Sequence, residues 1–133
     1  MQEHSQATRP LSVLYVEDND DLRGTISLLF EDTGHEVVSC RDSEQALRLL
    51  TERGFDVVVT DVNLPGLSGT ELARRILAED PNRWVVLCSG FEFGAELARL
   101  GPNVRSLPKP FEIEELEAMV DEIAAAMGRA PRR

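Results

Sequence analysis

Five side chains able to do chemistry stand at the ends of apolar runs. Asp61 closes Val57-Val58-Val59-Thr60, and Glu17 and Asp18 follow Ser12-Val13-Leu14-Tyr15-Val16. Ser89 follows Trp84-Val85-Val86-Leu87-Cys88, and Lys109 lies between Pro108 and Pro110, just after the run 104–107. Gathered in one place, the carboxylates would repel, and one of them would take up a proton. A divalent cation removes that conflict. Hard carboxylate oxygens suit Mg2+, which keeps several waters and favours a phosphate as co-ligand. A lysine supplies a point charge for one phosphate oxygen, and a serine hydroxyl donates to another. Asp61 is then left as an oxygen nucleophile able to form an acyl phosphate. Phosphoryl transfer asks mostly for positioning and charge neutralisation, and this set provides both. Singly, each feature is ordinary: an acidic pair after a strand is usually a solvated turn, Ser-Gly is a common turn, and a lysine between prolines is usually just exposed. Only joint placement gives them weight.

That placement depends on the elements. Val57-Val58-Val59-Thr60-Asp61 has the β-branched, uninterrupted character of a strand buried on both faces. Similar strands are expected at Ser12–Val16, Glu36–Cys40 and 84–88, with a less apolar edge strand at 104–107. Helical periodicity lies between them. Leu22, Ile26, Leu29 and Phe30 share one stripe, opened by Asp20 or Asp21 and ended by Gly34. Ala46, Leu47 and Leu50 mark a second helix, opened by Asp42 or Ser43 and closed by Gly54. A third is expected at 69–78, with Ser68 as its N-cap and Glu71 completing a capping box. Because Ser68 takes that role, Asp61 is too far upstream to be explained as a cap. A weaker helix is expected at 91–100, interrupted by Gly94, and a last one at 112–127, with Ile113, Leu116, Val120, Ile123 and Met127 in register.

Strand and helix alternating in this way predict an α/β fold, a doubly wound parallel sheet of (βα)5 type. With right-handed crossovers, the flavodoxin-like strand order 2-1-3-4-5 follows. Strands one and three then flank the topological switch point, and all five side chains fall at the carboxyl edge of the sheet.

Composition narrows the setting. The 133 residues suit one domain, expected at 11–127 with a loose arm at 1–10 and a tail at 128–133. Hydrophobic residues at 42% and charged residues at 29% fit a packed domain rather than a disordered one. A formal charge of -10 leaves no basic field for direct nucleic-acid binding, and no apolar stretch reaches membrane-spanning length. Cys40 and Cys88 end apolar runs and read as buried free thiols of a reducing compartment, so a cytoplasmic location is expected.

On Tyr15-Val16-Glu17-Asp18, Val59-Thr60-Asp61-Val62-Asn63-Leu64-Pro65-Gly66, Leu87-Cys88-Ser89-Gly90 and Lys109-Pro110-Phe111, the chain resembles the receiver domains of two-component response regulators, over roughly residues 11–127. The resemblance implies that Asp61 accepts phosphate from a histidine kinase's phosphohistidine or from a histidine phosphotransfer protein. It implies that Asp18, Asp61 and the main-chain carbonyl of Asn63 hold Mg2+ (or Mn2+), with Glu17 acting mainly through water. Ser89 would move onto the phosphoryl group, Lys109 would be its counter-charge, and the Lys109–Pro110 bond would be cis. The side chains of Asn63 and Phe91 would tune phosphate loss. Such a domain is not an enzyme in the usual sense, although it promotes its own phosphorylation and dephosphorylation. Its output would be a downstream protein partner or a fused kinase.

One departure stands out. The aromatic residue that similar domains carry three positions before the lysine is here Ser106, so the usual aromatic switch cannot operate. Signal transmission would then use other contacts, with the segment around Gly94 the first place to look. Three other readings fit less well. A flavin-binding module would want a hydroxyl- and glycine-rich phosphate loop where Glu17-Asp18-Asn19-Asp20-Asp21 stands. An aspartyl-phosphate phosphatase would want an aspartate where Asn63 stands. A degenerate receiver would lack site residues that are all present.

Overall fold

The computed structural model describes residues 10–90, 96–97 and 99–128. A single five-stranded parallel sheet runs in the order β2-β1-β3-β4-β5. The strands are β1 (Ser12–Val16), β2 (Glu36–Cys40), β3 (Val57–Asp61), β4 (Trp84–Ser89) and β5 (Val104–Pro108). The described helices are α1 (Asp20–Glu31), α2 (Ser43–Glu52), α3 (Gly69–Glu79) and α4 (Ile113–Ala126). The fold is flavodoxin-like, with the strand order expected from the alternation. The helix expected at 91–100 falls largely outside the described residues, as do all but one residue each of the arm at 1–10 and the tail at 128–133.

β3 is central and every residue of it is buried. Its alternation sorts the core into two layers. Val58 joins Leu14, Val16, Leu87, Leu72 and Ile76 on one side of the sheet. Val57 and Val59 join Val13, Tyr15, Phe30, Leu107, Leu116 and Val120 on the other, beneath α1 and α4. Burying apolar surface on both faces, at about 25 cal/mol per Å2, is what commits these runs to the middle of a sheet.

Three local expectations need correction. The N-cap of α1 is Asn19, whose side-chain oxygen accepts from the Leu22 N–H at 2.9 Å; Asp20 and Asp21 are the first helical residues. Leu29 is 39% exposed and Leu28 is 67% exposed, so the inward stripe of α1 is carried by Ile26 and Phe30 with Leu22 partly buried. The helix stops at Glu31 with Asp32 as its C-cap, and Gly34, at φ +95, belongs to the turn beyond. The other caps fall within the alternatives: Asp42 accepts from Gln45 N–H at 2.8 Å, and Ser68 accepts from Glu71 N–H at 3.1 Å. The Glu71 carboxylate faces Arg74 and Arg75. Glu112 precedes the last helix as its N-cap, and its N–H donates to Glu115 Oε1 at 2.7 Å.

The cap assignment is testable. Asn19→Ala should cost about 1 kcal/mol in urea denaturation, the usual loss for an N-cap. Asp21→Ala, one turn position further in and exposed, should cost clearly less.

Candidate functional site

Register brings the distant residues together. Val16 pairs with Thr60, so Glu17 emerges beside Asp61. Asp61 pairs with Cys88, so Ser89 lies one step beyond on β4. Ser89 pairs with Pro108, so Lys109 is the first residue beyond β5. Strand alternation does the rest. Tyr15, Val59 and Leu107 point toward α1 and α4, and the residues two further along are Glu17, Asp61 and Lys109.

The result is a compact cluster at the carboxyl edge of the sheet. Lys109 Nζ lies 3.2 Å from Asp61 Oδ2 and 3.9 Å from Glu17 Oε1. The carboxylates of Glu17, Asp18 and Asp61 each offer an oxygen within 4.8 Å of the others. Glu17 and Asp61 are buried, whereas Asp18 is exposed. The Asp61 carboxylate also accepts the Asn63 N–H through Oδ1, at 3.3 Å. Glu17 accepts the Asn19 N–H through Oε2, at 3.1 Å. Ser89 is buried, and its main-chain carbonyl accepts the Lys109 N–H at 2.7 Å. The Lys109–Pro110 bond is cis. Ser106 is partly buried on the edge strand, paired with Leu87. Phe91 lies outside the described residues.

Charge and burial set the protonation of the cluster. Burial raises the Glu17 carboxyl above the usual range; the Asn19 N–H and the Lys109 ammonium oppose this, while Asp61 and Asp18 add to it. For Lys109, burial alone would lower the ammonium, but Asp61 and Glu17 outweigh it and the net shift is upward. Below them, burial and then the negative charges of Glu17 and Asp61 push the Tyr15 phenol far above its ordinary range. Burial, aided by Asp61, pushes the Cys88 thiol up to about 12, so both it and the buried Cys40 stay protonated and unreactive. A hard, oxygen-only donor set of three carboxylates in this spacing fits a divalent cation such as Mg2+.

Two residues outside the expected set shape the site. Gly69 opens α3 directly under the end of β3, and its N–H donates to the Val62 carbonyl at 2.8 Å. A Cβ at this position would collide with the main-chain carbonyl of Asp61. The glycine therefore allows the helix to seat against Asp61 itself; the Ser-Gly pair at a helix start was the available signal. Arg23 is the other: its guanidinium reaches the main-chain carbonyl of Glu17 at 2.9 Å.

Comparison with known proteins agrees with this geometry. The family model described as the response regulator receiver domain matches residues 13–121. The transcriptional activator protein PfeR of Pseudomonas aeruginosa is 34% identical over 90% of this chain and 40% of its own length. The virulence sensor protein BvgS of Bordetella bronchiseptica is 34% identical over 86% of this chain and 10% of its own length. The solved structure of the response regulator protein TrrA of Thermotoga maritima, in complex with Mg2+-BeF, superposes with a TM-score of 0.76 at 23% identity, covering 85% of this chain and 98% of that one. The chain belongs to the response regulator receiver domain family of two-component signalling. It spans less than half the length of PfeR and a tenth of BvgS. Among the described residues, no helix is long and apolar enough to cross a membrane.

Two outcomes follow for the site. The raised Glu17 carboxyl means the folded state holds that proton more tightly than the unfolded chain, so ionisation with rising pH works against folding. In metal-free protein, Glu17→Gln should raise the melting temperature at neutral pH, and the gain should vanish below the usual carboxylate range. Thermal melts across that window check it. Gly69→Ala should cost about 1–3 kcal/mol, the range for overpacking, measured by urea denaturation.

Proposed function

We propose that this chain is a phosphoacceptor that takes a phosphoryl group onto Asp61 from the phosphohistidine of a histidine kinase or a histidine phosphotransfer protein. The observation that carries this reading is the Asp61 carboxylate at the carboxyl end of the buried central strand. It lies against Lys109 Nζ at 3.2 Å and shares its surroundings with Glu17 and Asp18.

In the reaction, a carboxylate oxygen of Asp61 attacks phosphorus and forms an acyl phosphate. The phosphorus–nitrogen bond to the donor imidazole breaks, and the imidazole leaves with the electron pair. Bound Mg2+ (or Mn2+) would supply charge neutralisation for the phosphoryl oxygens. Asp18, Asp61 and the Asn63 main-chain carbonyl would hold it, with Glu17 acting through water. Lys109 already faces Asp61, so once the phosphoryl group arrives its ammonium meets a phosphoryl oxygen instead. Ser89 donates its hydroxyl to another. Loss of the group is attack of water on phosphorus with return of the Asp61 carboxylate. The side chains of Asn63 and Phe91 tune the rate of that step, and the domain thereby promotes its own dephosphorylation without turning over an external substrate.

The output is a change in a protein-interaction surface, read by a downstream partner or by a kinase fused to the receiver. Direct nucleic-acid and membrane contacts are not part of this reading, given the charge of -10. A cytoplasmic location fits a domain whose thiols are free and buried. Because Ser106 stands where similar domains place an aromatic residue, the transmitted change uses contacts other than rotation of that ring.

Intact mass after incubation with Mg2+ and acetyl phosphate tests the proposal. One phosphoryl adduct is expected, absent from Asp61→Asn and from a sample with EDTA. If no adduct forms and beryllofluoride also fails to bind, a phosphorylation-independent interaction domain becomes the better reading.

A further inference from the structure

Of the three carboxylates in the cluster, Asp18 is the least held by its surroundings. Glu17 and Asp61 are buried, and each accepts a main-chain N–H near its strand end. Asp18 is exposed at the start of the turn into α1, and apart from its neighbour, the Glu17 carboxyl, no packing fixes where its carboxylate points. What fixes it is the peptide that carries it. The Glu17 N–H donates to the Cys40 carbonyl of β2 at 3.0 Å. The Glu17 carbonyl, the other half of the Glu17–Asp18 linkage, accepts from Arg23 Nη1 at 2.9 Å. Arg23 Nη2 in turn donates to Asp20 Oδ1 at 2.7 Å. A single planar guanidinium thus ties the peptide leading into Asp18 to the first turn of the helix that follows it.

We propose that Arg23 is a positioning residue for the divalent cation: it sets the orientation of the Glu17–Asp18 peptide, and through it the Asp18 carboxylate. The inference rests on the reading of the acidic cluster as a cation site given above. Arg23 is itself a cation, so simple electrostatics would have it repel the ion. The structure offsets that charge locally. Asp20 is paired with the guanidinium at 2.7 Å. The pair therefore presents little net charge to the site. The contribution of Arg23 is the fork geometry of its donors, which a lysine ammonium cannot reproduce. Its side chain is 20% exposed, wedged between the turn and α1 rather than extended into solvent.

The charge and geometry accounts predict opposite signs, which makes the test direct. Isothermal titration with Mg2+ and with Mn2+ would compare wild type, Arg23→Gln, Arg23→Lys and Asp61→Asn at fixed ionic strength, with metal-free melting temperatures measured on each. If Arg23 positions Asp18, both Arg23 variants bind the cation roughly 10-fold more weakly, the scale for removing an outer partner of a metal ligand. Their metal-free melting temperatures stay close to wild type, and the rate of phosphorylation by acetyl phosphate recovers at saturating Mg2+. Tighter binding by Arg23→Gln with Arg23→Lys unchanged would show a charge effect and overturn the proposal. Unchanged affinity in both variants would overturn it too, as would a loss of affinity that only tracks a loss of metal-free stability in both. If wild type binds no divalent cation, the reading of the cluster fails first, and the inference falls with it.

Discussion

Three carboxylates crowd one edge of a buried sheet, and that electrostatic conflict governs the molecule. Left in water, such groups would separate. Here the backbone does not let them. Glu17 and Asp61 leave adjacent strands of a closely packed parallel sheet, and hydrophobic burial on both faces holds those strands in register. Burial first, and then the neighbouring Asp61 and Asp18, raise the carboxyl of Glu17, and partial relief comes from Lys109, drawn to 3.2 Å from Asp61. In the proposed function, a cation and a phosphoryl group held there would offset that like charge.

The surroundings are built to keep that conflict in place. Gly69 lets α3 close on the main chain of Asp61 at the end of β3. Asn19 caps α1 with its side chain and holds Glu17 with its backbone, linking helix start to site. Ser89 and Lys109 are joined through a main-chain hydrogen bond between neighbouring strands. Each contact is modest alone. Together they transmit the rigidity of the core to a handful of polar atoms at its rim.

The edge strand holds Ser106 at the position where the resemblance to receiver domains would place an aromatic residue. β5 carries Arg105 over the Trp84 ring at 5.0 Å on one side and the small, partly buried Ser106 on the other. A serine cannot fill or vacate the volume an aromatic ring would. In the proposed function, a change at Ser89 would therefore reach the surface by backbone and packing shifts along β4 and β5 rather than by one large side chain changing places.

Sequence alone determined the element types, because apolar runs of β-branched residues and helical stripes report directly on burial. It also determined the strand order, through alternation and crossover handedness, and the identities of Glu17, Asp18, Asp61, Ser89 and Lys109 as residues worth gathering. What it misjudged were short-range choices among near-equal options. Asn19 and Asp20 can both cap a helix, and only the path of the chain out of β1 selects Asn19. Leu29 satisfies the periodicity as well as Phe30 does, yet the angle at which α1 lies on the sheet leaves it 39% exposed. The tertiary structure decided what depends on contacts between distant segments: that a helix backbone would press against Asp61 and demand glycine at position 69, and that Arg23 would turn back onto Glu17. Pattern and propensity are properties of neighbours in sequence, whereas those contacts exist only once the chain has closed on itself.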